Sequence, residues 1–201
     1  MNDRIFAENR FGLGPRPQGG GSGDGRAWVE AQLGERLTVP PGTPTRAEAA
    51  EALLAYRDER RDIRMERKQE PEPEATAMTM SGDKAAAKAK RPPELAGLRK
   101  EQRDLYLRAV DARLNAALTG PSPFLERMAH FWANHFAVGA TKMTTVGFAG
   151  LLELEAIRPH VTGRFADMLL AVERHPAMLL YLDQAQSIGP NSLAGERAGA
   201  R

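Results

Sequence analysis

Four clusters of proline and glycine interrupt this chain, and the stretches between them carry apolar residues at helical spacing. Glycine and proline together make up 33 of 201 residues, 19 and 14 respectively. Seven glycines fall between Gly12 and Gly25, in GLGPRPQGGGSGDG, which reads as loop. Gly12 is placed there as the residue just past a short first helix ending near Arg10. Asp24 is a good N-cap for a helix over 26–33, with Trp28, Val29 and Leu33 on one side. Pro40, Pro41, Gly42 and Pro44 forbid regular structure up to Thr45, which forms a capping box with Glu48 and opens a helix running to about Gln69. The later half of that helix, 57–70, holds six basic and five acidic groups with only Ile63 and Met65 apolar, the pattern of a solvated arm.

Residues 71–93 contain four prolines and the basic group Lys84, Lys88, Lys90 and Arg91, with almost nothing to bury, so a flexible insertion is expected over 66–93. A second long helix follows from Glu94 to about Leu118, with Leu95, Leu98, Leu105, Ala109 and Ala112 on its stripe. The two long helices suggest an antiparallel hairpin tipped by the insertion. After Gly120-Pro121, Ser122 and Pro123 start a helix to about Val138. Helices are further expected at 146–158, at 164–174 with Phe165, Met168, Leu169 and Val172 aligned, and at 176–183. The chain from Gln184 on shows no packing face. The expected fold is all-α: a multi-helix bundle with a protruding long helical hairpin. Its parts are N-terminal helices and first arm over 1–65, the insertion over 66–93, a helical core over 94–187 and a flexible tail over 188–201.

With 42% hydrophobic residues, the length suits one domain, or one domain with an appendage, at about 150 residues each. A net charge of +2, without a clustered basic excess carrying aromatics, argues against nucleic-acid binding. The absence of cysteine excludes disulfides, thiolate metal sites and cysteine nucleophiles. No run of about 18 apolar residues and no signal peptide is present, so neither a membrane span nor export is expected and the compartment reads as cytoplasmic.

The helix after Pro123 has the most informative side chains. At about 100° per residue from Phe124, the residues Met128, Phe131, Trp132 and Phe136 share one face with it, which is expected to be the buried seam of the molecule. His135 falls in the middle of that face; Glu126, His130 and Asn134 lie on the other. Glu126 and His130 stand at i, i+4 and are weak metal candidates, although the pair reads more simply as a surface pair. The two histidines of HFWANH are at i, i+5 and do not converge as a zinc-binding pair does. His135 suits a core histidine better than a base, and Asp183, closing an apolar run at a helix C-terminus, calls for a nearby cation or a capping role. No phosphate-loop, serine-elbow or other cofactor motif is found, so no cofactor is expected.

Taken in order, Asn9-Arg10-Phe11-Gly12-Leu13-Gly14-Pro15-Arg16-Pro17, Trp28 to Gln32-Leu33, Glu126-Arg127-Met128, Phe131-Trp132-Ala133-Asn134-His135-Phe136, Ile157-Arg158-Pro159-His160 with Gly163-Arg164-Phe165, and Pro176 to Asp183 resemble a large bacterial family, domain of unknown function 1800. The likeness covers most of residues 5–190 apart from the insertion. It implies no established activity. It does imply relatives that are often exported and often encoded beside a sulfatase-like protein, a possible partner. Members of the family usually continue into an Asn-Glu-Asn-x-Ala-Arg-Glu motif and a further helical region, so the chain is expected to correspond to the N-terminal portion, with an association-prone surface where the rest would pack. The resemblance and the residues together favour a structural or partner-binding module. The alternative is one half of a hydrolase-like enzyme, with His135, Asp183, Arg158 and Asn134 as catalytic candidates in a cleft completed by sequence beyond residue 201.

Overall fold

The computed structural model describes residues 3–16, 22–69, 93–189 and 191–199. Most of the expected insertion, including Lys84 to Arg91, lies outside them. The described residues form an all-α fold without strands. Its helices are α1 (Asp3–Phe11), α2 (Gly25–Leu33), α3 (Arg46–Gln69), α4 (Pro93–Thr119), α5 (Pro123–His135), α6 (Met143–Leu151), α7 (Phe165–Glu173), α8 (Pro176–Tyr181) and α9 (Leu193–Gly199).

The helix starts follow local chemistry. The Asp24 carboxylate accepts from the Arg26 amide at 2.8 Å to cap α2. At α3 the Thr45 amide donates to Glu48 at 2.6 Å while the Glu48 amide donates to the Thr45 hydroxyl at 3.2 Å, the reciprocal arrangement of a capping box. Past Tyr56 the described side chains of α3 are exposed except for the half-buried Glu59 and Ile63. α3 and α4 pack on one another and both pack on α6.

Between α6 and α7 the expected single helix over 146–158 is instead three kinds of helix in succession. α6 starts earlier, at Met143, and passes directly into a π-helical turn, Leu152–Ile157, and then a 3₁₀ turn, Arg158–His160. Apolar periodicity does not register a change from i−4 to i−5 bonding, so the spacing predicts a single helix there. The main core gathers on this segment: Phe148 and Leu151 of α6 and Leu152, Ala156 and Ile157 of the π turn meet Ala49 and Leu53 of α3, Met168 and Val172 of α7, and Ala177 and Met178 of α8.

The expected seam on α5 joins that core only in part, through Trp132 and Phe136, which pack against it. Phe124, Met128, Trp132 and Phe136 are half-buried and Phe131 is 57% exposed, whereas the buried residues of α5 are Leu125, Glu126 and Ala129. The helix is rotated by roughly a quarter-turn from the wheel's apolar face. Two things turn it: a buried ion pair takes Glu126 inward, and the small Ala129 lets the backbone approach closely. Phe165 likewise stands at the surface, 50% exposed, while Met168 and Val172 of the same stripe are buried. After α8 the chain forms a 3₁₀ turn, Gln184–Gln186, and α9.

Candidate functional site

The inward face of α5 carries Glu126 and His130 one turn apart, as i, i+4 positions must be. Glu126 is 2% exposed and receives both arms of Arg158, which is 3% exposed: Nη1 donates to Oε2 at 2.6 Å and Nη2 to Oε1 at 2.7 Å. The remaining Nε of Arg158 donates to the Thr38 carbonyl at 3.3 Å. This two-pronged arrangement gives the strongest hydrogen bonds available to a carboxylate and satisfies the guanidinium as well. Of the pair read as a surface site from sequence, Glu126 is therefore interior and His130 half-buried, and the Glu126 oxygens are already committed to Arg158.

A second ion pair adjoins the first. The π turn directs Glu153, 7% exposed, toward α4, where Arg113 Nε lies 2.7 Å from its Oε2. Burial lifts the Glu153 carboxyl above its ordinary value although Arg113 and Arg158 oppose the shift; the neighbouring Glu126 charge adds to it. Burial, together with the charges of Arg113 and Arg158, holds the His130 imidazole below its ordinary value against the pull of Glu126. His130 Nε2 and Glu153 Oε1 are buried without a hydrogen-bond partner among the described residues. Five ionisable side chains from α4, α5, the π turn and the 3₁₀ turn thus form one coupled cluster. A cleft of about 510 Å³ reaches Glu126 and Arg158 from the side of Thr38 and Ser122, and a smaller one of about 150 Å³ reaches Arg113 and Glu153 beside Phe136.

Elsewhere α5 carries an aromatic cluster whose inner members, Trp132 and Phe136, pack against the core and whose outer member on this helix, Phe131, is exposed. Trp132 is its centre, with ring centroids 5.1 Å from Phe131, 6.0 Å from Phe136 and 5.5 Å from Phe165. Phe136 and Phe165 stack at 6.3 Å. His135 is exposed and meets Trp132 and Phe136 edge-on at 5.6 and 4.7 Å.

The four residues singled out as catalytic candidates are not assembled into one constellation. Arg158 is engaged by Glu126, and His135 projects about 180° from Glu126 around α5. Asn134 is exposed on the same helix. Asp183 accepts from Lys142 Nζ at 2.7 Å, and Lys142 also donates to the Tyr181 carbonyl at 3.0 Å. Asp183 is at the same time the N-cap residue of the last 3₁₀ turn, with a left-handed φ of 56°. The buried histidine is His175, whose Nδ1 accepts from the Ala177 amide at 3.1 Å, leaving Nε2 to donate to Glu155 at 3.3 Å. Among the described residues no group of three or more His, Asp or Glu stands ready to hold a metal. No described helix is long and apolar enough to cross a membrane.

Arg113 and Glu153 were not singled out from sequence. The available signal was LLELEAIR, in which carboxylates alternate with residues that must be buried, so at least one acid has to enter the interior with a cation beside it. A family model described as protein of unknown function (DUF1800) matches residues 7–194. No curated protein and no solved structure matches the chain.

Proposed function

Because the chain belongs to the DUF1800 family of proteins of unknown function, which supplies no activity to adopt, we propose on geometric grounds that it is a helical module that binds a protein partner through the aromatic face of α5 and α7. The observation that carries this reading is the continuous cluster of Phe131, Trp132, His135, Phe136 and Phe165, whose outer members Phe131 and Phe165 are half in solvent. A monomer gains little from aromatic rings left at its surface, whereas aromatic anchors dominate the energetics of protein interfaces. The buried ion pairs behind α5 hold that face rigid, which lowers the entropy lost on association.

The rival reading, half of a hydrolase-like enzyme, draws less support, since Arg158 is committed to Glu126 and His135 points the other way. The family resemblance makes a sulfatase-like protein the first partner to look for. The test is site-specific photocrosslinking in cells, with the photoreactive residue at 131 or 165 and at 54, an exposed position on α3, as control. The proposal expects one discrete heterologous adduct from 131 and 165 that is missing from 54 and is lost in a Phe131→Ser/Phe165→Ser background carrying the probe at 136. Adducts joining two copies of the chain, or the same pattern from all positions, would overturn it.

A further inference from the structure

The first half of α4 and the start of α6 border a cleft that shares no residue with the aromatic face. Its volume is about 640 Å³, within the range of small-molecule sites. Leu95 and Val146, both buried, lie at its base, and its charged lining comes from α4 alone: Arg99, Lys100, Arg103 and Asp104.

Arg99 and Arg103 stand one turn apart on the same face of the helix, the i, i+4 spacing at which like charges repel unless they share an anion. Lys100 adds a third cation beside them. Among the described residues none of the three is in an ion pair. Arg99 is half-buried, so water relieves its charge only in part. Further along the same helix the arginines are engaged, Arg108 by Glu48 and Arg113 by Glu153. The other wall adds no compensating charge. The first turn of α6 holds no acid, and its N-cap residue, Lys142, makes no side-chain cap bond but reaches Asp183 instead, so the positive end of that helix is left unneutralised. Thr141, exposed at the rim, adds a hydroxyl donor. Three cations against the single carboxylate of Asp104 leave an excess of two positive charges in the lining, and guanidinium forks match the oxygens of a phosphate.

We propose that this cleft binds the dianionic head of a phosphomonoester, held between Arg99 and Arg103 with Lys100 alongside. Such a head loses its second proton at about pH 6 and is doubly charged above it, whereas a sulfate ester of the same shape carries a single charge. Phenyl phosphate and phenyl sulfate are therefore the matched probes, titrated into the full chain at about pH 7.5 and followed by amide chemical shifts. Phenyl phosphate is expected to perturb residues around Arg103 and Thr141 and to bind at least about tenfold tighter than phenyl sulfate, since one further hydrogen bond between charged groups is worth that factor. Arg103→Gln, at an exposed position that folding does not depend on, should remove that advantage, and Asp104→Asn should tighten both probes. Arg174→Gln, which removes an exposed charge at the end of α7, should change neither. Phosphatidylcholine vesicles doped with phosphatidic acid present the same head on a lipid, and binding to them alone, lost in Arg103→Gln, would support the head with a membrane lipid as its source. Equal affinity for the two esters, an equal loss from Arg174→Gln, shifts confined to other surfaces, or no response to either millimolar phenyl phosphate or the vesicles would each overturn the proposal.

Discussion

Arg158 and Glu126 are 32 residues apart in sequence, and each satisfies the other in the interior. Either charge alone would be stranded there, because the cost of removing a charge from water is offset only by its partner. Arg158→Met is therefore expected to cost about 3–5 kcal/mol in urea unfolding, while the double variant Glu126→Leu/Arg158→Met recovers most of it; a loss below about 1 kcal/mol for the single change would contradict the buried pairing. Glu153 gives a pH signature. Burial raises its folded value above the ordinary 4.5, so the folded state keeps the proton at pH values where the unfolded chain has released it. Stability from this group accordingly falls as pH rises from about 4.5 through the folded value. His130, held low, acts with the opposite sign, its stability falling as pH drops below about 6.5. Comparing Glu153→Gln with the parent at each pH cancels the histidine, and the variant's stability relative to the parent should be higher at pH 7 than at pH 4.5; a flat difference would show that Glu153 is not strained. Sequence marks Glu126 with His130, as an i, i+4 pair, and marks Arg158 separately, in a string of its own. Their convergence was not legible, since nothing local couples an acid on one helix to an arginine that follows the π turn after the next.

At the scale of the element, what was legible is what is decided locally. The cap of α2, the Thr45–Glu48 box and the proline stops place the helices, and α3 and α4 end close to where capping and proline put them. The rotation of α5 and the π turn were not legible, because they answer to neighbours. The crossing of α4 and α6 is of this second kind. A Cβ on Gly150 would stand 2.4 Å from the Ala109 Cβ, and one on Gly147 would stand 2.6 Å from Gln102 Oε1, whose bond from the Gly147 amide spans 3.1 Å. Glycine at 150 is thus required by the approach of two helices rather than by its backbone angles. Gly150→Ala sets an intrinsic helical gain of about 1 kcal/mol against an overpacking cost of about 1–3 kcal/mol. With two methyl groups that far inside contact distance the cost prevails, and a net loss is expected. Gly150→Ala/Ala109→Gly exchanges the two methyls and should recover more than half of the loss; a thermal-melt cycle in which the two changes simply add would separate the positions.

The molecule as a whole is built around the α6–π segment, and its N-terminal pair is joined to it differently from the rest. No residue of α1 or α2 belongs to the main apolar cluster. The pair packs on itself, with Arg4 over the Trp28 ring at 4.8 Å and Gly25 so close to Asp3 that a Cβ would meet its carbonyl oxygen at 2.4 Å. It meets the remainder mainly along α5, where the hydrogen bonds include Arg127 donating to the Gly12 carbonyl at 2.7 Å, the Phe124 amide donating to Gln32 at 3.0 Å, and Arg16 donating to the Gly120 carbonyl. Hydrogen bonds contribute little net free energy when water can replace them, while the apolar cluster around α6 scales with its buried area. Two levels of stability follow, with α1 and α2 opening as a unit before the core does. In native-state hydrogen exchange the amides of α1 and α2 should share one opening free energy well below that of α6 and α7. Arg127→Met, which removes a bond worth about 1.5 kcal/mol, should speed exchange in α1 and α2 about tenfold and leave the α6 amides unmoved. If α6 accelerates equally, the N-terminal pair is part of one cooperative unit and the division of the molecule drawn from its contacts is wrong.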